Sequence, residues 1–98
     1  MSDDLFAPPA FKPDEALQRL KRELRELGLA ERAGVFERRS LAIARAAIAG
    51  ATIAAARVKR PSRSSPEWQA RTIESSADLR DFVNDLKQRL AQWSDRDE

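Results

Sequence analysis

The stretch from Leu41 to Val58 constrains the fold of this chain most, because nine of its eighteen residues are alanine. Alanine has the highest intrinsic helix propensity and is depleted in β-strands. The stretch has no run of β-branched or aromatic residues that would offset this preference. It therefore predicts a helix over residues 31–58, which ends before Pro61.

The same stretch also permits a β-hairpin. Leu41, Ile43 and Arg45 occur at every second position, as in a strand, and the Ala-Gly-Ala-Thr run at 49–52 suits a turn. Residues 41–60 therefore have two interpretations, of which the alanine content favours the helix.

A first helix is predicted over about 13–28. Pro13 followed by Asp14 and Glu15 suits a first helical turn, because proline needs no amide partner there and acidic groups complement the positive end of the helix. Gly28 fits the left-handed position that ends many helices. Four leucines fall on one stripe of this helix: Leu17, Leu20, Leu24 and Leu27.

A third helix is predicted over about 66–94. Ser65 is a suitable cap, and Pro66 suits the first helical position. The Ser-Ser-Ala-Asp run at 75–78 matches a capping box, so the segment is either one helix or two that break near residue 75. Its apolar residues recur at spacings of three and four: Leu79, Phe82, Val83, Leu86, Leu90 and Trp93.

These elements predict an all-α fold. Three helices with short links favour antiparallel packing, so we expect a small three-helix bundle with a long, alanine-rich central helix. The 98 residues leave room for one domain, over 13–94. Residues 1–12, which include Pro8 and Pro9, predict an extended, flexible N-terminal arm, and residues 95–98 a frayed tail.

Missing residue types exclude several activities. The chain has no Cys and no His, which removes disulfides, thiol nucleophiles, the usual general base near neutral pH and the commonest transition-metal ligand. Its three glycines are isolated from one another, so it has no Gly-rich phosphate loop. We therefore expect no enzyme activity, no cofactor and no catalytic or metal-binding residue.

The sequence also predicts a cytoplasmic protein that contacts no membrane. Arg45 interrupts the least polar stretch, and alanine supplies most of its apolar character, which argues against a transmembrane helix. The N-terminal Met-Ser-Asp-Asp does not show a basic segment followed by an apolar run.

Small residues on the predicted central helix indicate self-association. The flanking helices cover only one side of it, and small residues one turn apart let two backbones approach closely on the other side. We therefore expect a non-enzymatic helical interaction or oligomerisation module, with itself as partner in a homodimer, or with another protein. Alanines that simply face water are the alternative. The predicted self-association face is Ala42, Ala46, Ala49, Gly50, Ile53 and Ala54.

Basic residues in the middle of the chain indicate a second function. Residues 31–65 carry eight basic and two acidic side chains, whereas residues 66–98 carry five and eight. Charge complementarity within the bundle explains this asymmetry, but so does a nucleic-acid-binding accessory protein that uses the basic linker 57–63. The predicted polyanion contacts are Arg38, Arg39, Arg45, Arg57, Lys59, Arg60 and Arg63.

Overall fold

The computed structural model describes residues 11–96, which form two helices and one five-stranded antiparallel sheet. The strands lie side by side in chain order, so each pairs with the next along the sequence. The elements are α1 (Pro13–Glu26), β1 (Ala30–Arg32), β2 (Val35–Arg38), β3 (Leu41–Ala49), β4 (Thr52–Val58), β5 (Trp68–Ile73) and α2 (Ser76–Arg96).

The all-α three-helix bundle is therefore wrong, and residues 30–73 form a sheet. The predicted central helix over 31–58 is replaced by β1 to β4, and the first part of the predicted third helix is β5. The hairpin interpretation of residues 41–60 is correct. Gly50 has a φ of +64°, as the first position of a two-residue hairpin loop requires, and Ala49 pairs directly with Thr52 across it.

The two helices were predicted more accurately. Helix α1 begins at Pro13 as expected, and Leu17, Leu20 and Leu24 are buried. After it Gly28 has a φ of +90°, and the amide of Leu29 donates to the carbonyl of Leu24 over 3.2 Å. This is the left-handed helix end that the glycine predicts.

The predicted capping box marks the true start of α2. The amide of Asp78 donates to Ser75 Oγ over 3.1 Å, and the Asp78 carboxylate accepts from the amide of Glu74 over 3.0 Å. Of the predicted helix over 66–94, only the part after the break at 75 is helical. Its apolar stripe faces the core, and Leu79, Phe82, Leu86, Leu90 and Trp93 are buried.

Both helices lie on the same face of the sheet, which we name the covered face. One row of residues crosses the five strands on that face and consists of Glu31, Phe36, Ala44, Arg57 and Gln69. In this row, Glu31 of β1 forms an ion pair with a side chain of α1, and Arg57 of β4 forms an ion pair with a side chain of α2. The core lies between the sheet and the helices, and its largest fully buried strand side chains are Phe36, Ile43, Ile53 and Ile73.

The ends of the chain are described only in part. The predicted arm over 1–12 falls mostly on residues 1–10, which lie outside the described residues, while Phe11 is half-buried and packs against the core. The predicted tail over 95–98 overlaps α2, which continues to Arg96, and residues 97–98 lie outside the described residues. No helix within 11–96 is long and apolar enough to cross a membrane.

Candidate nucleic-acid interface

The side of the sheet opposite the helices carries no further helix or strand within residues 11–96, and we name it the open face. Val58, which pairs with Trp68 on this side, is nevertheless fully buried. One row of residues on this face crosses all five strands and is about 19 Å wide at the usual strand spacing. This first row consists of Arg32, Val35, Arg45, Ala56 and Ala70. A second row, across three strands, consists of Ala47, Ala54 and Thr72.

An arginine and a tryptophan make contact in the middle of this face. The guanidinium carbon of Arg45 lies 4.5 Å from the centroid of the Trp68 ring. Arg45 is directly opposite Ala56, and Trp68 is a diagonal neighbour of Ala56 on the other side, so the two side chains meet above it. Ala56 is accordingly only 5% exposed. The pair combines an aromatic ring with an exposed cation.

The loop between β4 and β5, residues 59–67, lies beside the open face and carries further positive charge. The amide of Lys59 donates to the carbonyl of Glu67 over 2.9 Å, and their side chains form an exposed ion pair at 3.6 Å. These contacts close the base of the loop. Arg60 and Arg63, between them, are both exposed.

The net positive charge of the described residues resides in the sheet layer. Helices α1 and α2 each carry four basic and four acidic residues, whereas residues 30–73 carry nine basic and three acidic ones. Of these twelve, four face the helices: Glu31, Arg38, Arg57 and Arg71. The open face and its loops therefore keep two acidic residues, Glu37 and Glu67, and six basic ones: Arg32, Arg39, Arg45, Lys59, Arg60 and Arg63.

The polyanion contacts expected from the sequence separate into two groups. Arg57 is 8% exposed and forms an ion pair with Asp85 at 2.5 Å, and Arg38 donates to the carbonyl of Leu90 over 3.3 Å. Both therefore serve the contact between sheet and helix. The other five lie on the open face or in its loops: Arg39, Arg45, Lys59, Arg60 and Arg63.

The predicted self-association residues do not share one surface. Ile53 is fully buried beneath the helices, and Ala46 is half-buried on the same side. Gly50 lies in the β3–β4 turn, whereas Ala42, Ala49 and Ala54 belong to the open face. The helical spacing that grouped these residues does not exist in the structure.

Two residues of the interface were missed. Trp68 falls at the start of the predicted third helix, whereas its place in β5 brings it to Arg45. Arg32 was not selected, because the sequence did not show that it shares a row with Arg45. Sequence alone offers a weak signal for Trp68, namely an aromatic residue directly after a basic, serine-rich linker.

A cleft of about 570 Å³ lies at one end of the interface. It is formed between the β2–β3 turn and the β4–β5 loop, and its polar lining consists of Glu37, Arg39, Ser40, Ser62 and Arg63. No group of three or more Asp or Glu side chains within residues 11–96 is arranged to hold a metal ion. No protein-family model, curated protein or solved structure matches the chain.

Proposed function

We propose that this chain is a small, non-enzymatic nucleic-acid-binding protein whose open face binds a single strand. The observation that carries the proposal is the Arg45–Trp68 pair on a surface with six basic and two acidic residues. Nucleic-acid binding needs both parts, because Lys and Arg neutralise phosphates and aromatic rings stack on bases. The cytoplasmic location expected from the sequence stays a prediction.

The shape of the open face favours a single strand over a duplex. Duplex DNA is read by an element that enters a groove, commonly a helix or a two-stranded ribbon. The open face is instead broad and lined with small side chains such as Ala47, Ala54, Ala70 and Thr72, all of which are exposed. A single strand can lie across such a surface and turn its bases towards a ring such as Trp68.

The apolar content of the open face is too small to favour a hydrophobic partner. Its exposed centre offers four alanine methyl groups, Ala47, Ala49, Ala54 and Ala70. At ~0.8 kcal/mol per buried carbon they contribute about 3 kcal/mol per face. Association costs about 4–15 kcal/mol in lost translational and rotational freedom, so burial of these methyl groups leaves little net free energy for binding. Charge is the stronger attraction that this face offers.

The proposal is tested by binding of a fluorescein-labelled oligothymidylate, followed by anisotropy between 50 and 200 mM salt. If four phosphates are neutralised, log K falls with log salt with a slope of about −3. A triple variant in which Lys59, Arg60 and Arg63 are each replaced by Gln should bind more weakly, and the magnitude of its salt slope should be smaller by about 2.

The matched control removes the same charge from the helices. Arg19, Arg22 and Lys87 are exposed on α1 and α2 and are replaced with Gln in the same way. This control should bind like wild type. Equal weakening by the two triple variants, or no binding by wild type at 50 mM salt, would reject the proposal.

Stacking on Trp68 has its own measurement. The chain has two tryptophans, and Trp93 is buried in the core, so a Trp93→Phe variant leaves Trp68 as the emitting group. Oligothymidylate should quench its emission in proportion to the bound fraction. Unchanged emission at saturation would show that the bases do not reach the ring.

Self-association is the second candidate, and strand β5 is the feature that favours it. Within the described residues, β5 pairs only with β4, so its other edge is an unpaired strand of six residues without proline. Two copies can pair there antiparallel about Ala70. Gln69 then faces Arg71 of the second copy, and no like charges are directly opposite.

This pairing predicts opposite effects of two changes at one position. Gln69→Lys places like charges opposite each other at two symmetric positions and should dissociate a dimer, whereas Gln69→Glu should tighten it. Light scattering on a sizing column measures the mass of each. A monomeric mass for wild type and for Gln69→Glu at all concentrations would exclude self-association through β5.

A further inference from the structure

The turn between β2 and β3 has a backbone conformation that its residues disfavour. Arg39 and Ser40 have φ values of +54° and +67°, so both central positions are left-handed. Two-residue hairpin loops of this kind strongly favour Asn-Gly, because residues with larger side chains are strained there. The turn is therefore less stable with Arg39 and Ser40 than it would be with Asn and Gly at the same positions.

The same turn forms one wall of the cleft. Ser62 and Arg63 of the β4–β5 loop form the opposite wall, so two guanidinium groups and two hydroxyl groups line one space. Guanidinium groups bind phosphate through paired, charge-assisted hydrogen bonds, and hydroxyl groups donate to the remaining oxygens. Glu37 also lines the cleft and opposes an anion, which leaves one net positive charge.

The cleft has the size and position to receive one nucleotide of a bound strand. Its volume of about 570 Å³ is in the range of small-molecule sites and exceeds what a bare ion needs. Ala42 lines it and belongs to the open face, and Pro66 lines it two residues before Trp68. A strand that leaves the cleft therefore continues onto the Arg45–Trp68 pair.

We infer that this cleft is a phosphate-binding site, and that Arg39 and Ser40 occupy an unfavourable turn because they contact the phosphate. The inference rests on the proposed function in one respect, since it takes the phosphate to belong to the bound nucleic-acid strand. The chemistry of the cleft fits a free phosphate as well, so the experiment separates the two sources.

The decisive variant replaces Arg39 with Asn and Ser40 with Gly. It supplies the preferred turn residues, so its Tm should rise, while its affinity for a 5′-phosphorylated oligothymidylate should fall about tenfold through the loss of charged hydrogen bonds. The magnitude of the salt slope should fall by about 0.7. Misfolding cannot produce this combination, because it lowers both quantities.

Two further variants complete the experiment. Ala33 has a φ of +52°, and Ala33→Asn makes the β1–β2 turn Asn-Gly. Because Asn tolerates this left-handed conformation better than Ala, the variant should have a higher Tm and unchanged binding. Glu37→Gln removes the opposing carboxylate and should tighten binding about two- to fivefold. A lower Tm for the Arg39/Ser40 double variant would overturn the account of the turn, and unchanged affinity in Glu37→Gln would overturn the account of the cleft.

Amide NMR shifts then identify the source of the phosphate. Inorganic phosphate and the oligonucleotide should both shift the amides of Ser40, Ser62 and Arg63 in wild type, and at the same ligand concentration they should shift those of Ser62 and Arg63 less in the double variant. If wild type binds the oligonucleotide and the double variant binds equally well, the cleft inference fails and the proposed function stands. If only inorganic phosphate acts, the proposed function fails and the phosphate site stands. No shift with either ligand overturns the cleft inference.

Discussion

The two faces of the sheet have similar backbones but very different side-chain surroundings. On the covered face, Phe36, Ile53 and Ile73 are completely buried and Arg57 has a carboxylate partner. On the open face, Ala54, Ala70 and Thr72 are exposed, and the excess positive charge lies there or in the adjoining loops. The comparison teaches that most of the large buried side chains lie on one face, which leaves much of the other free to carry binding residues.

The largest expected effect that tests this comparison is in strand β5, because adjacent residues of this strand point to opposite faces of the sheet. Ile73→Ala removes a fully buried side chain and should lower the free energy of unfolding by about 2–5 kcal/mol. Thr72→Ala, one residue away on the open face, should change it by about 0.5 kcal/mol or less. Urea denaturation measures both.

The ratio of the two effects is the informative quantity. A total stability of about 5–15 kcal/mol is usual, so Ile73→Ala alone should shift the midpoint strongly. Similar losses for the two variants would mean that the open face is covered in solution, as it would be inside an assembly.

The ion pairs between the sheet and α2 give the next largest effect. Arg57 is nearly buried beside Asp85, whereas Arg71 and Asp81 are more exposed and 3.7 Å apart. Asp85→Ala should cost about 1.5–3 kcal/mol, because it leaves the Arg57 cation without its charged hydrogen-bond partner. Asp81→Ala should cost about 0.5 kcal/mol or less. Denaturation midpoints that rank the two variants in the reverse order would contradict the burial of Arg57.

The helices were predictable from the sequence because their signals are local. Pro13 with its acidic neighbours, Gly28 and the capping box at 75–78 each mark a boundary through contacts within a few residues. The sheet was not predictable in the same way. Strand alternation is recognised by apolar residues on one face and polar ones on the other, and alanine lies on both faces of β3 and β4.

The alanines of β3 and β4 also explain why helix propensity misled. Ala44 and Ala55 are buried against the helices, while Ala47 and Ala54 face outward, so one residue type serves both environments. Burial in the core overrides the intrinsic preference of alanine, which amounts to less than about 1 kcal/mol per residue. The basic residues of the interface were found by composition, but the faces they occupy depend on strand register.

A smaller effect is expected from the Arg45–Trp68 pair on the open face. A double-mutant cycle with Arg45→Gln and Trp68→Leu should give a coupling of about 0.5–1 kcal/mol, the range expected for exposed cation–π contacts. The cycle is measured by urea denaturation without nucleic acid. A coupling near zero would show that the pair is not formed in the free protein and that Trp68 is available only for a ligand.

The smallest effect is expected at the other end of the sheet, where Glu31 faces α1 and Arg32 faces outward. The Lys21 ammonium at 3.2 Å, and with it the Arg25 guanidinium at 3.0 Å, lowers the pKa of Glu31 below its ordinary value of 4.5, against the opposing effect of partial burial. Because the folded pKa is the lower one, the stabilisation is complete well above pH 4.5 and is lost as the pH falls through the folded pKa.

Glu31→Gln should therefore cost about 0.5 kcal/mol or less at neutral pH, and the difference from wild type should vanish once the pH lies well below the folded pKa of Glu31. Arg32→Gln removes a charge one residue away on the open face and should leave the acid side of the stability profile unchanged, because Arg32 points to the face opposite Glu31 and its partners on α1. Salt should reduce the Glu31 effect, since the pair is partly exposed and screened. If the stability difference between Glu31→Gln and wild type persists at low pH, Glu31 contributes through packing. The contact between the covered face and α1 at β1 would then not depend on charge.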